Sequence, residues 1–372
     1  MTRFAQDRQV FFVEEPVFDS ASEADRLEVR QVTPSLHVAV PHLSESARDN
    51  PHAVQRRLLD ELIAQHALGK FVLWYWTPMA LFFTDHLTPD LIVYDCMDEL
   101  AGFAGAPVEM LHMEEALLRR ADVVFTGGYS LYEAKKARHR NIHPFPSSVD
   151  VPHFMRARDA AREPDDQRAI ARPRLGYFGV IDERMHLALV DAVARRRPDW
   201  HWVFIGPTAK IDPRAVPQRP NIHYLGMKPY DALPDYLSGW DVAVLPFAHN
   251  AATRFISPTK TPEYLAAGCP VVSTSIRDVV HPYGDAGFVH IADDDDGFIA
   301  ATEAALRESR AERLQRVDAF LAGSSWDAVV RDMNRLMNRA SRSARIAHSA
   351  AVAPSGPPGS TSAGSHAMEA SR

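Results

Sequence analysis

The chain has 372 residues, room for two domains with separate cores. Its 46% hydrophobic and 24% charged residues are those of an ordinary globular protein. The net charge of −7 excludes a general nucleic-acid binder, which needs a basic surface, and two cysteines, Cys96 and Cys269, exclude a disulfide framework or a zinc-finger spacing.

The first residues, MTRFAQDRQV, lack the apolar stretch and small-residue cleavage site of a secretory signal. The longest apolar run, 71–83, is broken by Thr77 and Pro78 and falls short of the about 20 residues a bilayer span needs. A cytoplasmic protein is expected, with the inner face of the membrane left open as a place it visits. In the first half, strands are predicted at VFFVEE (10–15), LHVAV (36–40), FVLWYW (71–76), LIVYD (91–95) and DVVFTG (122–127). LEVRQV (27–32) is set to form a hairpin with LHVAV. Helices are predicted over 52–65, 109–119 and 130–138. The charged stretch 155–173 lacks core periodicity and reads as a linker. In the second half, strands are predicted at RLGYFGV (174–180), WVFIG (202–206), IHYLG (222–226), VAVLPF (242–247), PVVST (270–274) and GFVHI (287–291). Helices are predicted over 185–196, 230–238, 297–322 and 326–337. From about Ser341 the composition turns to Ser, Ala, Gly and Pro, and a disordered tail over 341–372 is expected.

Strands alternating with helices predict an α/β architecture of two doubly wound, Rossmann-like domains, 1–165 and 166–340, facing across a cleft. Ligands in such sheets sit beyond the carboxyl ends of the strands. SPTKTPEYLAAGCPVVST (257–274) predicts a helix capped by Thr261, with Pro262 in its first position and Gly268 closing it. Lys260 then stands beside the free N–H groups of a helix start, a place for an anion. Glu263 cannot bind that anion but can accept two hydroxyls, as a carboxylate does from a ribose. Phosphate and diol side by side describe a nucleotide. The alternative is a surface i,i+3 ion pair. Gly206 and Gly226 end strands at the pocket rim, as ligand-approach positions or as ordinary turn glycines. Asp95, Asp98 and Glu99 follow LIVYD and suit acceptor hydroxyls or proton removal, or else helix capping. Trp74, Tyr75 and Trp76 suit sugar stacking or the core. The run IADDDDGF (291–298) reads as a solvated helix cap. No P-loop, no Gly-x-Gly-x-x-Gly after a strand and no His-x-x-x-His zinc pair on a predicted helix is present.

PTKTPEYLAAGCPVVST resembles the donor-binding helix of GT-B glycosyltransferases of the large group 1 type. In the same order, PSSVDVPHF (146–154), LGYFGVIDER (175–184), FIGP (204–207), NIHYLG (221–226) and WDVAVLPF (240–247) resemble further family segments, and VYDCMDEL (93–100) resembles bacterial cell-surface polysaccharide glycosyltransferases of the teichuronic-acid kind. The resemblance covers most of 9–337. It implies hexose transfer from a nucleotide-sugar to a polysaccharide or lipid-linked glycan, with retention of configuration and no cofactor or obligatory metal. It assigns Arg184 and Lys260 to the diphosphate as catalytic cations. Gly179, Gly206, Gly226, Ser257, Thr259, Thr261 and Glu263 join Lys260 around the donor, and Asp95, Asp98 and Glu99 stand on the acceptor side. The family pattern places a second carboxylate eight residues before Glu263, where this chain has Phe255. The family's first strand and cleft loop have no counterpart ahead of VFFVEE, so an N-terminal domain lacking its first strand is expected. Two other readings remain: a nucleotide-sugar 2-epimerase on the same fold, and a non-catalytic nucleotide-sugar-binding protein.

Overall fold

The computed structural model describes residues 1–19, 24–159 and 163–352. The N-terminal half carries β1 (Val10–Val13), β2 (Val17–Phe18), β3 (Arg26–Thr33), β4 (Leu36–Leu43), β5 (Val72–Tyr75), β6 (Leu91–Cys96), β7 (Val123–Thr126) and β8 (Ile142–Pro144). β3 and β4 form the expected antiparallel hairpin, and β4 also runs parallel to β1 and β2. β5 to β8 form a separate parallel sheet in sequence order. All six residues of β6 are buried, as a near-continuous apolar run with cover on both faces requires. β1 and β5 are edge strands of different sheets, yet the rings of Phe12 and Trp76 meet at 4.9 Å. Ahead of β1, Phe4 is buried and its ring lies 5.0 Å from that of Trp74.

The C-terminal half is one six-stranded parallel sheet of β9 (Arg174–Phe178), β10 (His201–Ile205), β11 (Ile222–Tyr224), β12 (Val242–Leu245), β13 (Val271–Ser273) and β14 (Val289–Ile291). The strand order is β11-β10-β9-β12-β13-β14. Order reverses between β9 and β12, and the carboxyl end of that pair is where a ligand crevice forms.

The longer helices are α1 (Pro51–Gln65), α2 (Met110–Arg120), α3 (Tyr129–Lys135), α4 (Leu187–Arg196), α5 (Lys260–Ala267), α6 (Asp295–Arg307), α7 (Arg310–Leu321) and α8 (Trp326–Val352). The single helix predicted over 297–322 is two, α6 and α7. Glu308 turns to extended backbone between them while its carboxylate takes His290 and Arg313 at 2.6 and 3.1 Å. That tertiary tie overrides local propensity. The tail expected from Ser341 is also corrected in part: α8 continues to Val352 because SARIAHSAAV is rich in helix-forming alanine. Residues 353–372 of that expectation lie outside the described residues.

α8 turns back to the N-terminal half. Its Met333, Met337 and Ala340 pack against Leu91, Val93, Val123 and Phe125 of β6 and β7. The charged stretch 155–173 is not a free linker over its described residues. Val149, Phe154, Ala157 and Ile170 already belong to the C-terminal core, and Arg158 reaches the Ala266 carbonyl at 3.0 Å and Asp318 at 2.6 Å. The chain therefore crosses between cores near 144–149 and returns just before α8.

Candidate active site

α5 begins two residues earlier than a cap at Thr261 would place it. Lys260 is its first helical residue, and no side chain caps the start. Thr261 is fully buried with its hydroxyl unpartnered, so the expected cap is corrected. The helix is pulled down against β9, where the Tyr264 hydroxyl accepts the Phe178 N–H at 3.1 Å. Gly268 closes α5 in the left-handed region at φ 84°, as the Gly-Cys-Pro sequence predicts.

Two glycines shape the floor. Gly179 follows β9 at φ 136°, and a Cβ there would lie 2.5 Å from Lys260 Cε. Gly206 follows β10 at φ 133°, and a Cβ there would lie 2.1 Å from the Gly179 carbonyl oxygen. Only glycine lets these strand ends pack so closely under the lysine. Gly226 accepts the Gly206 N–H at 2.9 Å, and its own surroundings are open.

A cleft of about 170 Å³ opens above this floor, with Met97, Asp98, Gly127 and Ser147 on one side and Tyr177, Arg184, Phe247 and Lys260 on the other. Ser257, Pro258 and Thr259 line it as well, and the Ser147 hydroxyl donates to the Ser257 carbonyl at 3.2 Å. The Lys260 ammonium lies 5.6 Å from the Tyr177 ring centre, a cation–π distance. Burial lowers its pKa, against the attraction of Glu263. Arg184 is held by a fork onto Asp182 at 2.6 to 3.1 Å and lies 5.8 Å from the Phe103 ring centre. Asp98 feels both cations. Burial raises its pKa, while Arg184 and Lys260 draw it down. Glu263 has one carboxylate oxygen buried without a partner, and burial pushes its pKa up to about 7 against the pull of Lys260. Beyond it, Tyr230 stacks on His153 with ring centres 4.4 Å apart.

The residues expected on the acceptor side separate. Asp98 lines the cleft. Glu99 turns away to Lys135, whose ammonium it meets at 2.8 Å. Asp95 is buried on the face of β6 that carries Val93, and one of its oxygens accepts the indole N–H groups of Trp74 and Trp76 at 3.1 and 2.9 Å. Neither carboxylate faces the cleft, so the acceptor reading of Asp95 and Glu99 is corrected. Trp74 belongs to the core beneath them. Asp182, Tyr177 and Phe247 escaped the sequence reading. Gly127 could have been found there, since FTGG ends a strand as FIG and YLG do.

Burial raises the Asp95 pKa from the usual carboxylate range to about 6, against the two indoles. A raised carboxylate favours folding fully only below its unfolded value near 4, and that advantage is lost as the pH rises through about 6. Asp95→Asn keeps an acceptor for the indoles and carries no charge. It is expected to raise stability at neutral pH by up to about 3 kcal/mol and to change little near pH 4, read from urea unfolding at both.

Residues 172–308 match the family model described as glycosyl transferases group 1. Over 299 residues, 74% of each chain, the sequence is 25% identical to a Bacillus subtilis (strain 168) protein provisionally named as a teichuronic acid biosynthesis glycosyltransferase. The structure is similar to sucrose-phosphate synthase from Thermosynechococcus elongatus, with a TM-score of 0.64, 14% identity and 90% of each chain covered. It is also similar to an α,α-trehalose-phosphate synthase (UDP-forming) from Burkholderia xenovorans in complex with glucose-6-phosphate, with a TM-score of 0.64, 13% identity, and 89% and 93% covered. An Anabaena protein in complex with UDP and glucose is a third neighbour, with a TM-score of 0.59, 14% identity, and 80% and 85% covered.

Proposed function

We propose, from the premise that this chain is a glycosyltransferase of the group 1 type on the GT-B fold, that it moves a hexose from a uridine-diphosphate sugar to a polysaccharide or lipid-linked glycan, with retention. The observation that carries this reading is the pairing, within one turn of α5, of Lys260 at an uncapped helix start with the unpartnered carboxylate of Glu263. The leaving group is a nucleoside diphosphate, and charge grows on its oxygens in the transition state. Lys260, Arg184 and the start of α5 address that charge, and we assign the counter-charge to them rather than to a metal ion. Asp182 fixes the direction of Arg184. Asp98, opposite both cations, is the group we assign to an acceptor hydroxyl, with the donor phosphate taking part in its deprotonation. Uridine is favoured by the UDP-forming and UDP-bound neighbours, and the glycan acceptor by the relative named for teichuronic acid biosynthesis. Work at the cytoplasmic side of the envelope fits an acceptor made there. Among the described residues, no helix is long and apolar enough to cross a membrane.

Calorimetric titration with UDP, GDP and dTDP tests the pocket and names the base. Binding of none of the three overturns the reading. Glu263 adds a pH signature. Its carboxyl is half protonated near pH 7, and only the ionised form accepts two ribose hydroxyls. The preference for UDP over dUDP is expected to grow several-fold from about pH 6 to about pH 8, and that growth, though not the whole preference, is expected to vanish in Glu263→Gln. A preference that does not change with pH removes Glu263 from the ribose.

A further inference from the structure

We propose that the solvent face of α8 is a docking surface for an anionic lipid bilayer. The chain carries 41 Lys and Arg against 48 Asp and Glu, yet Arg331, Arg335, Arg339 and Arg342 succeed one another along a single helix at spacings of four, four and three. Those spacings place them on one face. The opposite face, Met333, Met337 and Ala340, is buried against β6 and β7, so the arginine row is forced outward. The four arginines line one groove of about 540 Å³ with Asn334 and Asn338. Arg331 and Arg342 have no ion-pair partner among the described residues, and Arg335 meets Asp332 at 3.3 Å in an exposed pair that offsets little of its charge. Arg8 joins from the N-terminal side, its guanidinium donating to Asn334 at 2.8 Å.

The shape selects the partner. From Arg331 to Arg342 the row is about 16 Å long, straight and open. It lacks the aromatic walls and enclosed acceptors of a small-molecule pocket. A plane of anionic headgroups can meet the whole arginine row at once, with Asp332 and the Arg3-paired Asp327 as acidic neighbours it also meets. Its field fades within roughly 8–10 Å in physiological salt, short of acidic faces elsewhere on the protein. A soluble polyanion that wraps the molecule meets those acidic faces. Docking here would hold the cleft beside a lipid-linked acceptor, and in that respect alone the inference rests on the function proposed above.

Vesicle co-sedimentation of the full chain, without nucleotide or acceptor, tests it. Vesicles of phosphatidylcholine with one third phosphatidylglycerol are compared with phosphatidylcholine alone. The parent is expected to bind the first and not the second, and to release at high salt. Each arginine contributes roughly five-fold, so Arg331→Gln/Arg335→Gln/Arg342→Gln is expected to bind about 100-fold more weakly. Its UDP titration and unfolding midpoint should match the parent, since none of the three touches the cleft or the core. Equal binding by parent and variant, equal binding to both vesicles, or binding to soluble dextran sulfate but not to the anionic vesicles each overturns the proposal. Failure here leaves the glycosyl-transfer reading standing, because nucleotide titration tests that one separately.

Discussion

Lys260→Ala is expected to weaken UDP binding by roughly ten- to hundred-fold, the worth of one charge-assisted hydrogen bond of about 1.5–3 kcal/mol. The ammonium stands at the first residue of α5 and above Gly179, so its charge and that of the helix start act on the same anion. The neighbouring glycine supplies an independent check. A methyl group added at Gly179 would occupy the space of Lys260 Cε, so Gly179→Ala is expected to reproduce most of the loss without touching the lysine. Calorimetric titration of both variants with UDP reads the effect. Binding by Lys260→Ala as tight as the parent's would place the diphosphate elsewhere and remove the basis for the proposed chemistry.

Lys135→Met is expected to cost the fold about 3–5 kcal/mol, the usual consequence of leaving a buried charge without its partner. The Lys135 ammonium is 1% exposed and lies 2.6 Å from Glu114 and 2.8 Å from Glu99. Arg138 supports Glu114 from the other side at 2.9 Å, and the Tyr94 hydroxyl donates to it at 3.1 Å. Burial would raise the Glu114 pKa, but Lys135 and Arg138 outweigh it and hold the carboxyl below its usual value. A depressed carboxylate contributes stability above its unfolded pKa and loses it as the pH falls through its folded value. The penalty of Lys135→Met should therefore be full at neutral pH and shrink in acid. Urea unfolding across that range checks it, and a loss below about 1 kcal/mol at neutral pH would mean that the network is solvated. Lys135→Met/Glu114→Leu, which removes both charges, should recover part of the loss. Through Glu99 the same lysine anchors the segment that carries Asp98 to the cleft, so weaker nucleotide binding should accompany the unfolding shift.

Most strands and the end of α5 were legible because their signals are local, whereas the two- and three-residue β2 and β8 are too short to carry a pattern and were not predicted. β6 is an apolar run with an aspartate only at its next-to-last position, and Gly268-Cys269-Pro270 stops a helix by itself. What the sequence hid was decided at a distance. Asp95 and Asp98 stand three residues apart with the same chemistry, yet alternation along β6 turns Asp95 to the face that α8 covers from more than 230 residues away. Lys135 and Glu114 lie on different helices, 21 residues apart, and nothing in their local sequence foretells the buried ion pair that the fold makes of them. The break at Glu308 depends on His290 and Arg313, not on its neighbours. Around the cleft, Lys260 and Glu263 carry a motif, whereas Tyr177 enters through its place at the end of β9 and Asp182 through its hold on Arg184.

The seam between β1 and β5 has a mechanical consequence. Among the described residues, no main-chain ladder crosses it, and adhesion there includes the ring pairs Phe12–Trp76 and Phe4–Trp74. Aromatic pairs of this kind contribute about 0.5–1.5 kcal/mol beyond their burial and tolerate sliding far better than a hydrogen-bonded ladder does. The N-terminal half is thus two sheets joined by side chains rather than by a shared ladder. Because Val10 of β1 packs into the cluster of β6 and β7 while Trp74 and Trp76 hold Asp95, a displacement of the β1 to β4 plate would be transmitted to the strands behind the Asp98 rim.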